Sequence, residues 1–203
     1  MYKFFKRLFD IFVGLLGLII LVPVTMIIKI AYVCTGDYHR IIYGQTRVGK
    51  EGKEFRIYKF RSMVWNADEE LQTLLKKKKY REQWERYQKI DNDPRITKVG
   101  KIIRSGSIDE MPQFLNVFLG QMSLIGPRPL IPGELKAHKG DPKKYYAVRP
   151  GITGYWTTRG RSDVDYEDRL KMEYYYVDNQ SFALDIKIFF RTIKAVFRKD
   201  GAK

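Results

Sequence analysis

The longest hydrophobic run of the chain lies close to its N-terminus. Residues Ile11 to Ile28 carry no charged side chain, and a helical run that spans a bilayer needs about 17–25 such residues. Pro23 lies inside the run, where its ring removes a helical hydrogen bond and clashes with the preceding turn. Basic residues flank the run on both sides, so the positive-inside rule gives no direction of crossing. The pattern predicts a re-entrant helix that bends at Pro23 and leaves by the face through which it entered.

Two alternatives for this segment stay open. A true membrane span fits the length of the run, and a buried core helix fits its hydrophobicity. Four phenylalanines near the start of the run are typical of a membrane interface, which makes the core helix the weaker alternative. They are Phe4, Phe5, Phe9 and Phe12.

Short strands and helices are predicted in the rest of the chain. Hydrophobic residues at 41–43 and 55–60 indicate two strands, with a glycine-containing turn between them. Helices are expected over residues 67–89 with Asn66 as the cap, over 97–104, and from Asp109 to just before Gly120.

The C-terminal segment has the clearest amphipathic pattern. Its apolar stripe recurs at helical spacing and comprises Phe182, Ile186, Phe189, Ile193 and Val196. Lysines and arginines form the opposite stripe, which is typical of a helix on a membrane surface, although a helix that covers a soluble core fits nearly as well. The predicted fold class is α+β and mostly helical. We expect a re-entrant anchoring helix at residues 1–38 and a compact catalytic domain with short strands and amphipathic interface helices at 39–203.

Composition narrows the class of partner. The 203 residues include 38 Lys and Arg against 23 Asp and Glu, and this excess favours an anionic partner such as acidic lipid, nucleic acid or a phosphorylated substrate. The single cysteine, Cys34, excludes a disulfide within the chain and fits a reducing compartment. No zinc-finger or RNA-recognition signature accompanies the basic residues, so no nucleic acid partner is expected.

Two adjacent carboxylates, Asp109 and Glu110, are the candidate catalytic groups. Pro112 is tolerated in the first helical turn, which favours Asp109 as the helix cap. A helix N-terminus stabilises negative charge and would keep Asp109 ionised. An ionised carboxylate is able to attack a phosphoanhydride, while Glu110 is suited to Mg²⁺. The simpler alternative is a capping residue beside a solvated glutamate.

Candidate phosphate ligands surround this pair in the sequence. Arg128 lies between Pro127 and Pro129, so its backbone is restricted and its guanidinium suits bidentate phosphate binding. Lys59, Arg61 and Arg104 are further candidates, with an ordinary surface charge as the alternative for each.

Five ordered motifs resemble the bacterial sugar transferase family, the small monotopic phosphoglycosyl transferases. The resemblance extends over nearly the whole chain, and the motifs are Gln45–Gly49, Tyr58–Met63, Ser107–Gln113, Gly126–Pro129 and Arg149–Gly154. The resemblance implies transfer of a sugar 1-phosphate from a UDP-sugar to undecaprenyl phosphate, with release of UMP, as the first membrane step of surface glycan assembly. It also implies that Asp109 is the nucleophile of a covalent phosphosugar intermediate.

The resemblance implies further roles and a location. Glu110 and Asp109 would serve Mg²⁺, Arg128 would bind phosphate, and Pro23 would mark the membrane bend, although Val22 stands where relatives often have serine. The protein would lie on the cytoplasmic face of the bacterial inner membrane, in contact with its lipid, because UDP-sugars are cytosolic. A homodimer is left open.

One segment of the chain bears on the donor sugar. Trp156 followed by Gly160–Ser162 is similar to members that transfer a hexose phosphate. Tyr155 and Trp156 would stack on uracil or sugar, or else pack in the core. One competing hypothesis from another class is a non-catalytic, basic recruitment module on the membrane surface, which explains the charge and the hydrophobic segment but not the pairing of Asp109 with Arg128. A second is a nucleic-acid binder, which the charge suggests and the long apolar segment opposes.

Overall fold

The computed structural model describes residues 1–87, 90–159 and 165–198. Its first element is helix α1, Tyr2–Cys34, which continues through Pro23. By length and composition α1 is able to cross a membrane. Most of its side chains are exposed, so a helix buried in a protein core does not describe it.

The remaining elements are short. The strands are β1 Ile42–Val48, β2 Glu54–Phe60, β3 Ser123–Ile125 and β4 Gly151–Thr153. The helices are α2 Ala67–Leu75, α3 Lys78–Tyr87, α4 Lys98–Ser105, α5 Gln113–Phe118, α6 Glu134–Ala137, α7 Pro142–Tyr145, α8 Tyr166–Asp178 and α9 Phe182–Arg198. Three 3₁₀ turns add Lys50–Gly52, Ile108–Glu110 and Trp156–Thr158. The α+β, mostly helical fold class is therefore confirmed.

The predicted helix over residues 67–89 is wrong as a single element. The structure has two helices there, α2 and α3, which are separated at Lys76 and Lys77. Four consecutive lysines place like charges on neighbouring helical positions, which disfavours a continuous helix. Residues 88 and 89 lie outside the described part of the chain.

Strands β1 and β2 form an antiparallel hairpin that arranges the charged side chains. The register pairs Tyr43 with Lys59, Gln45 with Ile57 and Arg47 with Phe55. Because directly paired residues project to the same face, Arg47 and Lys59 lie on one face of the hairpin. The backbone N–H of Val48 then donates to the carbonyl of Leu130 at 2.9 Å, which attaches the loop after Arg128 to the end of β1.

Helix α1 packs on the rest of the protein near both of its ends and along one side between them. Near the N-terminus, Lys6 forms an ion pair of 2.6 Å with Asp185 of α9. Near the C-terminus, the hydroxyl of Tyr32 donates to the carbonyl oxygen of Arg61, and the Arg61 guanidinium lies 4.5 Å from the centre of the Tyr32 ring. Tyr32 and Ile28 belong to one hydrophobic cluster with Phe60. The N-terminal helix and the domain that follows it thus share a core.

A band of large apolar side chains remains exposed beside α1. On α9 it includes Phe182, Ile186 and Ile193 of the predicted stripe, while Ile188 and Asp185 are buried on the opposite side. Most of the predicted stripe therefore faces outward, as expected for a helix on a membrane surface rather than one that covers a soluble core. The side chain of Val196 lies outside the described side chains.

The close packing of α4 gives a test of the fold. In an exposed helix, Gly→Ala stabilises by about 1 kcal/mol. At Gly100, however, a Cβ atom would collide with the carbonyl oxygen of Ser62 and lie 2.7 Å from its carbonyl carbon. We expect Gly100→Ala to lower the free energy of unfolding by ~2–4 kcal/mol, measured by thermal or denaturant unfolding in detergent.

The matched control is Gly106→Ala at the end of the same helix. There a Cβ atom would meet only the flexible end of the Ile108 side chain, at 3.3 Å. This variant should change stability by less than about 1 kcal/mol. Equal stability of the two variants would contradict the packing described for α4.

Candidate active site

Asp109 and Glu110 lie on a tight turn between two helices. Helix α4 ends at Ser105, and Ser107 adopts a left-handed conformation with φ of 54°, which redirects the chain into the 3₁₀ turn Ile108–Glu110. Helix α5 begins only at Gln113, with Pro112 as its cap residue. The prediction that Asp109 caps a helix is therefore wrong. Proline has no N–H to donate and is accommodated just before the helix, so the helix begins after it rather than at Asp109.

The carboxyl group of Asp109 has an unusual environment. Burial, followed by the neighbouring charge of Glu110, raises the pKa of Asp109 to about 6. The positive charges of Lys59 and Arg104 act in the opposite direction but do not cancel the effect. The helix N-terminus that was expected to keep Asp109 ionised is absent at this position. A half-buried carboxylate with a raised pKa is more nucleophilic than a solvated one, since water stabilises its charge less.

The turn is attached to the membrane-type helix. Ile108 and Met111, on either side of the two carboxylates, pack against the same hydrophobic cluster as Leu21 and Val24 of α1. Leu21 and Val24 lie on either side of Pro23 in the sequence. The carboxylate pair is thus fixed next to the middle of α1.

Lys59 and Arg104 join the carboxylates as predicted. The ammonium group of Lys59 on β2 contacts Oε1 of Glu110 at 2.9 Å, and both side chains remain about one third exposed. Arg104 lies in the last turn of α4, and its charge lowers the pKa of Asp109. Four of the predicted site residues are therefore neighbours, and both cations favour the ionised form of Asp109.

Arg128 is held rigidly by buried groups. Its backbone N–H donates to Oε1 of Glu173 at 2.9 Å, and its carbonyl accepts from the hydroxyl of Tyr145 at 3.0 Å. Its side-chain Nε is buried and has no hydrogen-bond partner among the described residues. Both the N–H and the carbonyl of Arg128 are thus held by hydrogen bonds, while the Nε of its guanidinium has no partner among the described residues.

Arg47 is a neighbour of Arg128 that the sequence did not single out as a ligand. Its terminal nitrogens donate to Gln45 at 2.6 Å and to the carbonyl of Pro129 at 3.1 Å. Its buried Nε has no partner within the described ranges. Burial and then the charge of Arg128 lower the pKa of Arg47, while the charge of Glu134 and, less strongly, those of Tyr43 and Glu110 raise it. The strongest charge acting on Arg47 is therefore that of Arg128.

Arg61 occupies a different environment from the other predicted ligands. Its guanidinium donates to the carbonyls of Arg40 and Met63, at 2.8 and 2.9 Å, and to the carboxylate of Asp37 at 2.9 Å. All three of its nitrogens are used, and the side chain is buried beneath Tyr32. The structure therefore brings Arg61 to the C-terminal end of α1 and not to the carboxylate turn.

The donor set is compatible with Mg²⁺ bound together with a phosphate. No group of three or more His, Cys, Asp or Glu side chains gathers within the described ranges, so a cage made entirely of protein ligands is not found there. Mg²⁺ usually binds through one or two carboxylates and substrate phosphate oxygens. Asp109 and Glu110 provide two such carboxylates, one of which is paired with Lys59.

Two residues close to Arg128, Glu173 and Arg47, were not singled out by the sequence. Glu173 lies on α8, and its side chain is fully buried. Burial raises the pKa of Glu173 to about 8, so the group is largely neutral at pH 7. The signal for Arg47 was its register opposite Phe55, which places it on the face of Lys59, but that register is known only once the hairpin is seen.

The two aromatic candidates have different neighbours. Tyr155 packs against the cluster of Leu124 and Ile188, and its ring lies 4.8 Å from that of Tyr175. The Arg169 guanidinium lies 5.5 Å from the Trp156 ring. The segment Gly160–Ser162, on which the hexose preference was based, lies outside the described residues.

Carboxylates, a lysine and arginines gathered beside a largely exposed apolar helix are features expected of a membrane-associated protein that handles phosphate groups. The chain belongs to the bacterial sugar transferase family, whose family model matches residues 1–199.

Curated relatives agree with this membership. The chain is 47% identical over 201 residues to the undecaprenyl-phosphate galactose phosphotransferase of Salmonella typhimurium, covering 98% of this chain and 42% of the relative. It is 39% identical over 198 residues to the exopolysaccharide production protein ExoY of Sinorhizobium fredii. The match covers 97% of this chain and 87% of ExoY.

A third relative carries a different sugar in its name. It is the UDP-glucose:undecaprenyl-phosphate glucose-1-phosphate transferase of Klebsiella pneumoniae, 38% identical over 206 residues, which cover 93% of this chain and 39% of the relative. The chain therefore spans less than half the length of the Salmonella and Klebsiella proteins but most of ExoY.

The raised pKa of Asp109 predicts a pH-dependent stability effect. Between the ordinary value of 3.8 and the folded value of about 6, the folded state binds more protons than the unfolded state, so stability falls as pH rises through this window. Asp109→Asn removes this effect. We expect it to raise the free energy of unfolding by ~1–2 kcal/mol at pH 7.5, with a difference that disappears towards pH 4.

The measurement is thermal unfolding of wild type and Asp109→Asn in detergent across this pH range. A difference that is the same at pH 4 and pH 7.5 would contradict the assigned environment of Asp109.

Proposed function

We propose that this protein transfers a sugar 1-phosphate from a UDP-sugar to undecaprenyl phosphate and releases UMP. The observation that carries the proposal is the half-buried Asp109 beside Glu110, Lys59 and Arg104, on a turn that packs against the membrane-type helix α1. Membership of the bacterial sugar transferase family supports it, as do the relatives named for galactose and glucose phosphate transfer to undecaprenyl phosphate.

The first step uses Asp109 as a nucleophile. Its carboxylate oxygen attacks the phosphorus that bears the sugar, and a new phosphorus–oxygen bond forms as the anhydride bond to the second phosphate breaks. The electron pair of the broken bond leaves with UMP. Lys59 and Arg104 favour the ionised form of Asp109, which is the form that attacks.

The second step regenerates the enzyme. An oxygen of undecaprenyl phosphate attacks the same phosphorus, and the bond to Asp109 breaks with its electron pair returning to the carboxylate. Protons need not be exchanged with the protein in either step when the acceptor phosphate is ionised. The packing of the turn on α1 suits an acceptor whose phosphate lies at the membrane surface.

Two arginines are suited to hold the diphosphate. The Nε atoms of Arg47 and Arg128 are buried and unpartnered within the described ranges, and Arg128 lowers the pKa of Arg47. A diphosphate between them would accept hydrogen bonds from both and relieve the repulsion of their charges. Asp109 and Glu110 would hold Mg²⁺, which supplies charge neutralisation at the phosphate oxygens when bound. Arg61 is left out of this set because its guanidinium is already satisfied.

The attachment of α1 favours a monotopic protein. A straight helix of 33 residues is about 50 Å long, whereas the hydrocarbon core of a bilayer is about 30 Å thick. A straight span would carry the two ends of α1 to opposite sides of the membrane. Yet Lys6 and Tyr32 both contact the same domain. We therefore propose that α1 is re-entrant around Pro23, with the domain on the cytoplasmic face where UDP-sugars occur.

The donor is proposed to be a UDP-hexose. The relatives are named for galactose and glucose, and both are hexoses without an acetamido group. The alternative of a non-catalytic recruitment module does not account for the raised pKa of Asp109 or the two unsatisfied arginines, because lipid recruitment needs neither.

The function is tested by UMP release in nanodiscs with Mg²⁺ and undecaprenyl phosphate, across UDP-glucose, UDP-galactose and their acetamido forms. We expect release with a hexose donor, and a loss of at least about 10³-fold in Asp109→Asn, since the nucleophile is removed. Intact-mass analysis without acceptor should detect a hexose phosphate on the wild type and none on the variant.

The control is Asp68→Asn on the exposed surface of α2, which should release UMP at the wild-type rate. If Asp109→Asn released UMP at a rate comparable to wild type, the assignment of Asp109 as the nucleophile would be refuted. Failure of the folded wild type with every donor would favour the recruitment module.

Glu173 provides a test of how Arg128 is held. Glu173→Gln keeps an oxygen that accepts from the Arg128 N–H, whereas Glu173→Leu leaves this buried N–H without a partner, which costs about 1–3 kcal/mol. We expect Glu173→Leu to lower kcat/KM for the UDP-sugar by ~10- to 100-fold, mainly through KM, while Glu173→Gln stays within about threefold of wild type.

The two variants are compared after both are shown to be folded by thermal unfolding. A similar loss in both would contradict this role, because Glu173→Gln keeps the oxygen that accepts from the Arg128 N–H.

A further inference from the structure

A basic cleft lies between the N-terminal part of α1 and the domain. Its volume is about 70 Å³, and it shares no residue with the carboxylate turn or the Arg128 loop. Five of its lining residues are cationic, and the only acidic one is Asp10. The cations are Lys3, Lys6, Arg7, Lys50 and Arg149. The proposed transfer reaction uses none of them.

Two guanidinium groups converge on one side of this cleft. Arg7 donates from its two terminal nitrogens to the carbonyls of Val117 and Phe118, at 2.7 and 2.8 Å. Arg149 donates from Nε to the carbonyl of Gly120 at 2.7 Å. All three carbonyls lie at the C-terminal end of α5, so the two arginines are fixed side by side by the same short segment. Both side chains carry a positive charge, and the buried Asp10 lines the same cleft.

The acidic groups near the cleft are already engaged. Asp10 is buried and accepts from the Ser123 hydroxyl at 3.0 Å and from the Leu124 N–H at 2.9 Å. Asp185 forms an ion pair with Lys6 at 2.6 Å. Within the described part of the chain, Lys3 has no ion pair, and Lys50 meets only the exposed Glu51. The cleft thus keeps an excess of positive charge that an anion would neutralise.

The position of α1 indicates where the anion comes from. Lys3, Lys6, Arg7 and Asp10 follow one face of the helix at helical spacing, while Phe5, Leu8, Phe9 and Phe12 line an exposed apolar surface on the other, together with Phe182 of α9. An interfacial helix buries its apolar face about 5–10 Å below the headgroups, and a helix with side chains is about 10 Å across. The basic face is then at the depth of the lipid phosphates.

We propose that this cleft binds the phosphodiester of an anionic phospholipid, separately from the sugar transfer site. Such a site would fix the depth and orientation of α1 in the membrane. A negatively charged headgroup is favoured over a zwitterionic one, because the cleft offers several cations and no free anion to pair with a choline or ethanolamine group. The inference does not depend on the proposed transfer reaction.

The test is a titration of the full chain in uncharged detergent with dihexanoyl-phosphatidylglycerol below its micelle concentration. Thermal unfolding is the readout, and dihexanoyl-phosphatidylcholine and inorganic phosphate are titrated in parallel. The variant is Lys3→Gln with Lys50→Gln, because both side chains are exposed and neither supports the core. Its control is Lys76→Gln with Lys77→Gln, which removes the same charge from the exposed junction of α2 and α3.

We expect a saturable stabilisation by the phosphatidylglycerol probe alone. The affinity for this probe should fall by about tenfold or more in the Lys3 and Lys50 variant and should be unchanged in the control. An equal loss in both variants would mean diffuse surface attraction and would overturn the site. Equal stabilisation by inorganic phosphate would overturn the assignment of a lipid ligand. If no probe gave a saturable shift in the unfolding temperature, the anion site itself would be overturned as well. UMP release is not measured, so failure here is distinct from failure of the proposed function.

Discussion

The hydrophobic contact between α1 and the carboxylate turn is the constraint on which the rest of the structure depends. Ile108 and Met111 belong to one cluster with Leu21 and Val24, so the acidic pair is fixed against a helix that is otherwise exposed and apolar. The same helix supplies Tyr32 to the core. Removing α1 would therefore expose the core and free the turn as well as removing a membrane anchor, because one element carries both roles.

Unfavourable electrostatics are concentrated at the candidate site. Asp109 is partly buried beside Glu110, Arg47 is partly buried near Arg128, and both arrangements disfavour the charged forms. Such arrangements are costly in the absence of a partner and are relieved by one of opposite charge. A diphosphate would relieve the arginines, and a divalent cation would relieve the acids. Binding free energy is thus available at this site because folding leaves these charges incompletely compensated.

Local sequence patterns predicted the elements better than their junctions. Thr97 was expected at the start of α4, and it caps that helix by accepting from Gly100, because a hydroxyl three residues before a free N–H is a purely local arrangement. The helix cap was wrongly predicted at Asp109 because Ser107 adopts a left-handed conformation, which separates the end of one helix from the start of the next. Tertiary packing decides that conformation. Glu173 was missed for a related reason: only the folded chain buries it against Arg128.

Arg61 illustrates why a motif does not assign a role to each of its members. It lies two residues after Lys59 in one motif, and alternation along a strand would place both side chains on one face. Strand β2 ends at Phe60, however, so the alternation stops before Arg61. Its guanidinium donates to the carbonyls of Arg40 and Met63 and packs against the Tyr32 ring. Lys59 contacts the acidic turn and Arg61 contacts the end of α1, so two cations of one motif join the membrane-type helix to the site.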